Sequence, residues 1–591
     1  MSASAVLKAF EHRKDLAKYG SNALILFALQ LKHHIDDIHA VATDALTDGS
    51  NDKKCDLVYV DRGSRLAVIA QGYFSKQPKK EAPANKASDL NTALTWLLTT
   101  SIKSLPAKIR PAATDLREAL KNKEIDVLEI WYVHNCAESV NVDNELASVA
   151  SGVKVALNSA YKDSGCDEVQ PLEVGLNTLG TWYRSIETAV LVSDEFTVQV
   201  PGGYAITEGK WAAFSTAVPA KWLYELYKKH QTDLFSANVR DYLGSRKSDS
   251  NINHGIKESA EQKPSEFWAF NNGITALVND FIEPESKNKI LTIKGISIVN
   301  GAQTTGAIGS LDNPPVQNAM VPARFIKCTS PDLVQEIVRY NNSQNKVAPA
   351  DFRSTDAIQE RLRQEFAQRP SKISYLGGRR GGAQDAIQRP GSGNHIPSDT
   401  AAQSLTAFHG NPSVAYSRKS DIWESDKYYS SVFSDHTHAE HILFVCALHQ
   451  VISKIKMDIF QKKEEELTET DRENLNFFRL RGSIHMFMAA VGACMETILG
   501  HTVPSKFTLR FRKSPKLSEA EQAWRPVLDC CIPFQSVLRP PLEGSLTTTA
   551  DINQPITQFR SFVNSTRSSN KKIYDEFAAK VTAEPWITKK K

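Results

Sequence analysis

The sequence predicts a multidomain α/β protein that closes with a mostly helical region, and three observations predict it. The chain has 591 residues, more than one hydrophobic core organises when a domain takes roughly 150 residues. Helical periodicity and short β-branched runs alternate over the first two thirds of the chain, which is the pattern of α/β domains. After about residue 435 only helical periodicity remains, clearest from His441 to Ile455 and from Phe477 to Leu499. The expected units are 1–190, 191–435 and 436–591. Apolar residues at 41% and charged residues at 23% lie near globular averages, so neither disorder nor a fibrous chain is expected.

Taken in order, apolar residues recur at helical spacing from Leu24 to Leu46, which describes one amphipathic helix. Thr47 to Asp52 is turn chemistry, because Gly, Asn and Asp tolerate left-handed backbone. Two strands follow, Asp56 to Asp61 and Leu66 to Gln71, joined through Arg62-Gly63-Ser64. A lysine-rich loop leads to a helix over Ala87 to Leu105, and Val127 to Tyr132 is a third strand. Beyond residue 190, Thr197 to Ala205 and Leu291 to Val299 read as strands, with helices beginning at Ala220 and Pro331. Gly377 to Pro397 is a long Gly/Ser/Asn-rich loop.

Several function classes drop out on composition. The longest apolar stretch, Ala23 to Leu31, falls far short of the ~20 residues of a membrane span. Charges in MSASAVLKAFEHRKD stand where a secretory signal needs its apolar region, so a cytoplasmic protein with reduced cysteines is expected. A net charge of +4 neither requires nor excludes a nucleic-acid partner. No Gly-x-x-x-x-Gly-Lys-Ser/Thr run marks a P-loop.

The front domain carries a candidate acidic site. Hydrolysis of a phosphodiester assisted by a divalent cation needs carboxylates that converge on a hard metal. Antiparallel pairing of the two hairpin strands would bring Asp56 beside Gln71, with Asp37 on the preceding helix and Asp52 on the turn within reach. Taken singly, Asp52 shapes a turn and Asp56 is a strand-edge residue; taken together they form a candidate site. The order resembles the PD-(D/E)XK nuclease core in its Mrr-like form, D…QxK, and so implies a restriction-endonuclease-like domain. That resemblance implies Asp37, Asp52 and Asp56 as ligands of Mg²⁺ or Mn²⁺ and Asp56 and Gln71 as catalytic residues. Tyr73 stands where the signature has lysine, and a phenol cannot replace a cation. Lys76 and Lys86 lie downstream, and Lys86 is the expected replacement.

Three segments further on are dense in side-chain amides: Phe270 to Thr275, Ile298 to Thr305 and Tyr340 to Asn345. Amides donate and accept hydrogen bonds without net charge, which suits phosphate, sugar or base edges. Asn-Gly pairs also make ordinary turns. Phe267, Trp268 and Phe270 beside the first segment offer rings of the kind that single-strand binders stack on bases, but aromatics in such a run are more often core, and they read as core residues.

The series NVRDYLG, EFWAFNNGIT, IVNGAQTT and RYNNSQNKV resembles the ordered motifs of the abortive-infection phage-resistance (AIPR) family. The resemblance implies a prokaryotic defence protein acting on nucleic acid, DNA favoured over RNA, either as an endonuclease or as a catalytically inactive sensor working with a partner enzyme. It makes Arg240, Asn271, Asn272, Asn300, Gln303, Thr304, Asn342 and Gln344 candidate contacts to nucleic acid or nucleotide, with Arg379 and Arg380 as further cationic partners. A protein that damages its own cell needs restraint, which points to a homo-oligomer, a partner defence protein or an inhibitory nucleotide, and no membrane.

Overall fold

The computed structural model describes residues 2–47, 52–76, 79–187, 190–238, 252–285, 288–316, 319–341, 353, 356–375, 394–462, 464–547 and 551–586. The front unit runs α1 (Ser2–His12), α2 (Ala23–His33), α3 (Ile38–Ala45), β1 (Leu57–Asp61), β2 (Leu66–Tyr73), α4 (Ala84–Leu98), α5 (Arg110–Lys121), β3 (Val127–His134), α6 (Val140–Ala160), β4 (Glu168–Val174) and α7 (Leu176–Glu187). Its four strands lie in the order β1-β2-β3-β4, with β1 antiparallel to β2 and the other pairs parallel. The helices α4, α5 and α6 supply the core on one face, and α1, α2, α3 and α7 the core on the other.

Two expected helices are interrupted. The run from Leu24 to Leu46 breaks where His34 takes a left-handed conformation at φ 49° and Asp37 caps a new helix. Periodicity cannot see this break, because both halves bury apolar residues in the same core. The second expected helix stops at Leu98 as α4, and α5 follows with Pro111 in its first turn, a position proline tolerates.

The central unit contains β5 (Val192–Gln199), β6 (Gly203–Glu208), β7 (Trp211–Pro219), α8 (Ala220–His230), α9 (Ile252–Gln262), α10 (Phe267–Phe270), β8 (Ile274–Val278), β9 (Asp280–Ile282), β10 (Ile290–Asn300), α11 (Ala302–Gly309), β11 (Met320–Cys328) and α12 (Pro331–Asn341). Thr197 to Ala205, expected as one strand, is split between β5 and β6 by Pro201-Gly202, whose proline lacks a ladder donor. The sheet has the order β5-β10-β8-β11-β7-β6, with β9 beside β10. Only β8 and β11 pair in parallel. One face packs on α8, α9, α11 and Phe267. The other packs Ala213, Leu277, Val299 and Ile326 beneath Val334, Ile337 and Val338 of α12.

The helical body is built around one core that runs from Leu362 to Ala583, so the boundary expected at 436 falls inside it. The body therefore begins near α13 (Ala357–Ala367). It joins the front unit through buried polar contacts. Lys456 Nζ reaches Asp44 Oδ1 at 2.5 Å, Lys419 Nζ lies 3.4 Å from Asp61 Oδ1, and Arg481 Nη2 donates to the Val58 carbonyl at 2.9 Å. Burial works against the Asp44 charge, yet Lys456 and Arg481 outweigh it and hold the carboxyl below its ordinary range.

Candidate functional site

Two groups of side chains were expected to carry function, and the fold treats them differently. In the front unit, the register that sets Leu57 against Ala70 brings Asp56 opposite Gln71 one step further, and the Asp56 N–H donates to the Ala70 carbonyl at 3.0 Å. Strand alternation puts Gln71 on the face of Ala67 and Ile69, and Asp56 on the face of Val58, which share one core. The two side chains thus belong to one corner of the sheet. The Asp56 Oδ2 accepts the Gly72 N–H at 2.7 Å, which ties the carboxylate to the end of β2. Gln71 is buried, and among the described residues its Oε1 has no hydrogen-bond partner. An orphaned buried acceptor costs about 1–3 kcal/mol and calls for an explanation, such as a water or an ion.

Asp37 and Asp52 do not join this corner. Asp37 caps α3, with Oδ1 accepting the Ala40 N–H at 2.9 Å and Oδ2 accepting the Thr400 hydroxyl of the helical body at 2.7 Å. Asp52 Oδ1 accepts the Lys54 N–H at 2.9 Å, a local turn contact. Among the described residues, no group of three or more His, Cys, Asp or Glu side chains is arranged to hold a metal ion. The expected three-carboxylate set therefore reduces to Asp56 and the free Oε1 of Gln71. Mg²⁺ keeps several waters and takes one or two carboxylates from a protein, and of the expected ligands Asp56 alone stands at this corner.

Lys86, expected in the place of the motif lysine, is engaged elsewhere. Lys86 Nζ lies 4.0 Å from Asp89 Oδ2, which faces Lys54 Nζ at 3.5 Å as well, and so Lys86 belongs to that charge cluster. Lys79 instead donates to the Tyr73 hydroxyl at 2.8 Å. This bond lowers the Tyr73 phenol from its ordinary pKa and raises the Lys79 amine. In the next strand His134 stands beside Tyr73 in register. Its Nδ1 accepts the Cys136 N–H at 3.3 Å, so Nε2 carries the proton donated to Glu173 Oε1 at 3.0 Å. This buried pair latches β3 to β4 at the same end of the sheet, and no spacing in the sequence announced it.

In the central unit, the first two amide segments meet at one end of the sheet. Asn271 and Thr304 bond each other side chain to side chain at 3.2 Å, and Asn271 Oδ1 also accepts the Gly273 N–H at 2.8 Å. Gly301 sits at φ 87°, where an added Cβ would come within 2.5 Å of the Gly273 carbonyl oxygen. Glycine is required at that crossing because any side chain would part the two loops. Asn300 Nδ2 donates to the Asn341 carbonyl at 2.6 Å, which brings in the start of the third segment. Asn271, Asn300 and Thr304 are thus braces of the loops, whereas Asn272 and Gln303 are exposed and, among the described residues, make no side-chain hydrogen bond.

A cation missed by the sequence reading stands here. Arg324 on β11, Thr275 on β8 and Asn300 on β10 are side by side in register. The Arg324 Nη2 donates to Thr275 Oγ1 at 3.2 Å and to Asn341 Oδ1. An arginine inside the apolar run Val321 to Ile326 was the available signal. The aromatic expectation is corrected in part: Phe267 is core, but Trp268 is 56% exposed and Phe270 61% exposed, because α10 is a single turn with only one buried side. Arg240, Asn342, Gln344, Arg379 and Arg380 lie outside the described residues.

These features define a multi-unit α/β protein with a mixed central sheet whose amide-rich end is braced by its own loops, followed by a helical body. The family model described as AIPR protein matches residues 235–524, which supports the resemblance read from the motifs over that span. The match begins after β7 and α8 and continues through most of the helical body, well past the last recognised motif. No match was found among curated proteins or among solved structures. Among the described residues, no helix is long and apolar enough to cross a membrane.

Proposed function

We propose that this is a prokaryotic antiphage protein of the abortive-infection type, acting in the cytoplasm on nucleic acid, with DNA favoured over RNA. On this reading the central sheet holds the nucleic acid and the Asp56–Gln71 corner hydrolyses a phosphodiester. The observation that carries the hydrolytic half is the buried, unpartnered Oε1 of Gln71 in register with Asp56. The order of α3, the β1–β2 hairpin, α4 and parallel β3 also follows the arrangement expected of a restriction-endonuclease-like core. A divalent cation bound there would activate water and offset charge on the phosphate. Asp56 and Gln71 would hold it, and the Lys79–Tyr73 pair would supply positive charge at the position of the motif lysine.

The test is incubation of the full chain with plasmid DNA and with RNA in Mg²⁺, Mn²⁺ or EDTA, beside Asp56→Ala. The expected outcome is cleavage that needs the metal and is lost in the variant. Cleavage indifferent to Asp56 would end the hydrolytic reading. A second reading, a non-catalytic sensor that passes a phage signal to a partner enzyme, is favoured by the engagement of Asp37, Asp52 and Lys86 elsewhere. It is the reading left if nucleic acid binds and no metal supports cleavage.

A further inference from the structure

We infer that the end of the central sheet formed by Arg324, Asn272, Gln303, Trp268 and Phe270 is a binding site for an unpaired nucleic-acid strand. This rests on the nucleic-acid reading above and narrows its substrate class. Three observations lead to it.

Arg324 is exposed and held by neutral acceptors, Thr275 and Asn341. Among the described residues it has no carboxylate partner. A guanidinium has five N–H donors in a fixed fork, so several stay available to a phosphate oxygen, and its charge is not neutralised from within. Its side chain is oriented in advance by those two bonds, which reduces the ordering cost of binding.

Trp268 and Phe270 expose large aromatic surfaces at the same end of the sheet. The connection from α10 to β8 passes tightly over β11, since a Cβ on Gly273 would fall 2.2 Å from the Pro322 carbonyl oxygen, two residues before Arg324. The aromatic rings and the cation are therefore carried by neighbouring, rigidly crossed segments. Exposed rings offer stacking to bases whose faces are free, as in a single strand. In a duplex those faces are already stacked, and a protein reads the edges through a helix or ribbon laid in a groove. The four-residue α10 is too short to serve as such a helix.

Asn272 and Gln303 complete the site as exposed amides without side-chain partners among the described residues. Amides can follow base edges or sugar hydroxyls once a strand lies on the rings. Backbone phosphate on Arg324, bases on Trp268 and Phe270, and edges on the amides is the division of labour of a single-strand binder.

The test uses the full chain with metal omitted, and labelled oligo(dT), oligo(U) and a duplex of the same length in fluorescence anisotropy. Either single strand should bind at least about ten-fold tighter than the duplex, and the tighter of the two identifies DNA or RNA. Trp268→Ala and Phe270→Ala should each weaken single-strand binding about ten-fold, with Trp268→Phe restoring most of it. Arg324→Gln should lower the salt slope by about one phosphate contact. Ile282→Ala, which alters an exposed apolar residue away from this end, should bind like the parent. Because Trp268 and Phe270 are exposed, their variants should keep the parent melting temperature even if Arg324→Gln does not. A duplex bound as tightly as the single strands, or unchanged binding by both aromatic variants, would overturn the proposal. Single-strand binding here, with no metal-dependent cleavage in the plasmid and RNA assay described above, removes the hydrolytic reading and leaves this one standing. Asp56-dependent cleavage by a protein indifferent to Trp268→Ala does the reverse.

Discussion

The front sheet and the central sheet both bring polar residues to one end, but they use them in opposite ways. In the front sheet the acidic residues are mostly consumed by the fold: Asp37 caps α3 and bonds Thr400, Asp52 closes a turn, and Asp44 and Asp61 face lysines of the helical body. At the Asp56 corner the carboxylate accepts the Gly72 N–H, and among the described residues the Gln71 Oε1 has no hydrogen-bond partner. In the central sheet the braces are neutral, Asn271 to Thr304 and Asn300 to Asn341, and the groups left outward are a guanidinium, two aromatic rings and two amides. The lesson is that a cluster of chemistry-bearing residues in a sequence divides, in the fold, into a part that holds the scaffold and a part that faces solvent. Charged residues at a domain joint fall into the first part because leaving them unpaired on burial is costly.

The comparison breaks first at the joint. Lys456→Ala takes the hydrogen-bonded partner from the part-buried Asp44, leaving Arg481 to offset its charge, and should cost about 3 kcal/mol in chemical denaturation. A cost below about 1 kcal/mol would mean that the ion pair does not anchor the front unit. Next comes the central crossing. Gly301→Ala places a Cβ against the Gly273 carbonyl at a left-handed backbone position, which costs about 1–2 kcal/mol for the backbone alone. Gly165→Ala, also at positive φ but with nothing within 4 Å, should show only that backbone part, so thermal melts of the pair separate crowding from strain.

A smaller change sharpens the division of the acids. Asp37→Ala should cost about 1 kcal/mol as a lost cap and leave metal-dependent cleavage at the parent rate. Abolished cleavage with an unchanged melting temperature would return Asp37 to the catalytic set. The mildest test concerns pH and the helical body. Burial lowers His441 from 6.5 to about 4 and His485 to about 3. Protonation then favours the unfolded chain, so their contribution is complete above about pH 6.5 and is lost as pH falls toward 4. Melting temperatures should decline across that window, and His485→Leu should decline less steeply.

Much of the site was readable where function depends on local pattern. The strand ending in Gln71 and the Asp56 position opposite it follow from periodicity, turn residues and order in the chain, whereas the meeting of NNGIT with NGAQTT came only from the pairing of β8 with β10. Lys79 was legible only as one lysine among several, since the choice between Lys76, Lys79 and Lys86 depends on how the loop after β2 folds back to Tyr73. Trp268 and Phe270 were misread because three adjacent aromatics look like core until the helix carrying them proves to be one turn long.

The sequence by itself determined the alternation of α/β units, the helical character of the last part and, Arg324 apart, the residues from which the two sites are drawn, because those depend on patterns within a few residues. Tertiary structure alone decided that the helical core starts at Leu362, that Asp37 serves Thr400 and that Arg324 stands beside Asn300. Each of those pairings joins segments distant in the chain, and the partner of a buried charge or amide is set by which surfaces pack together.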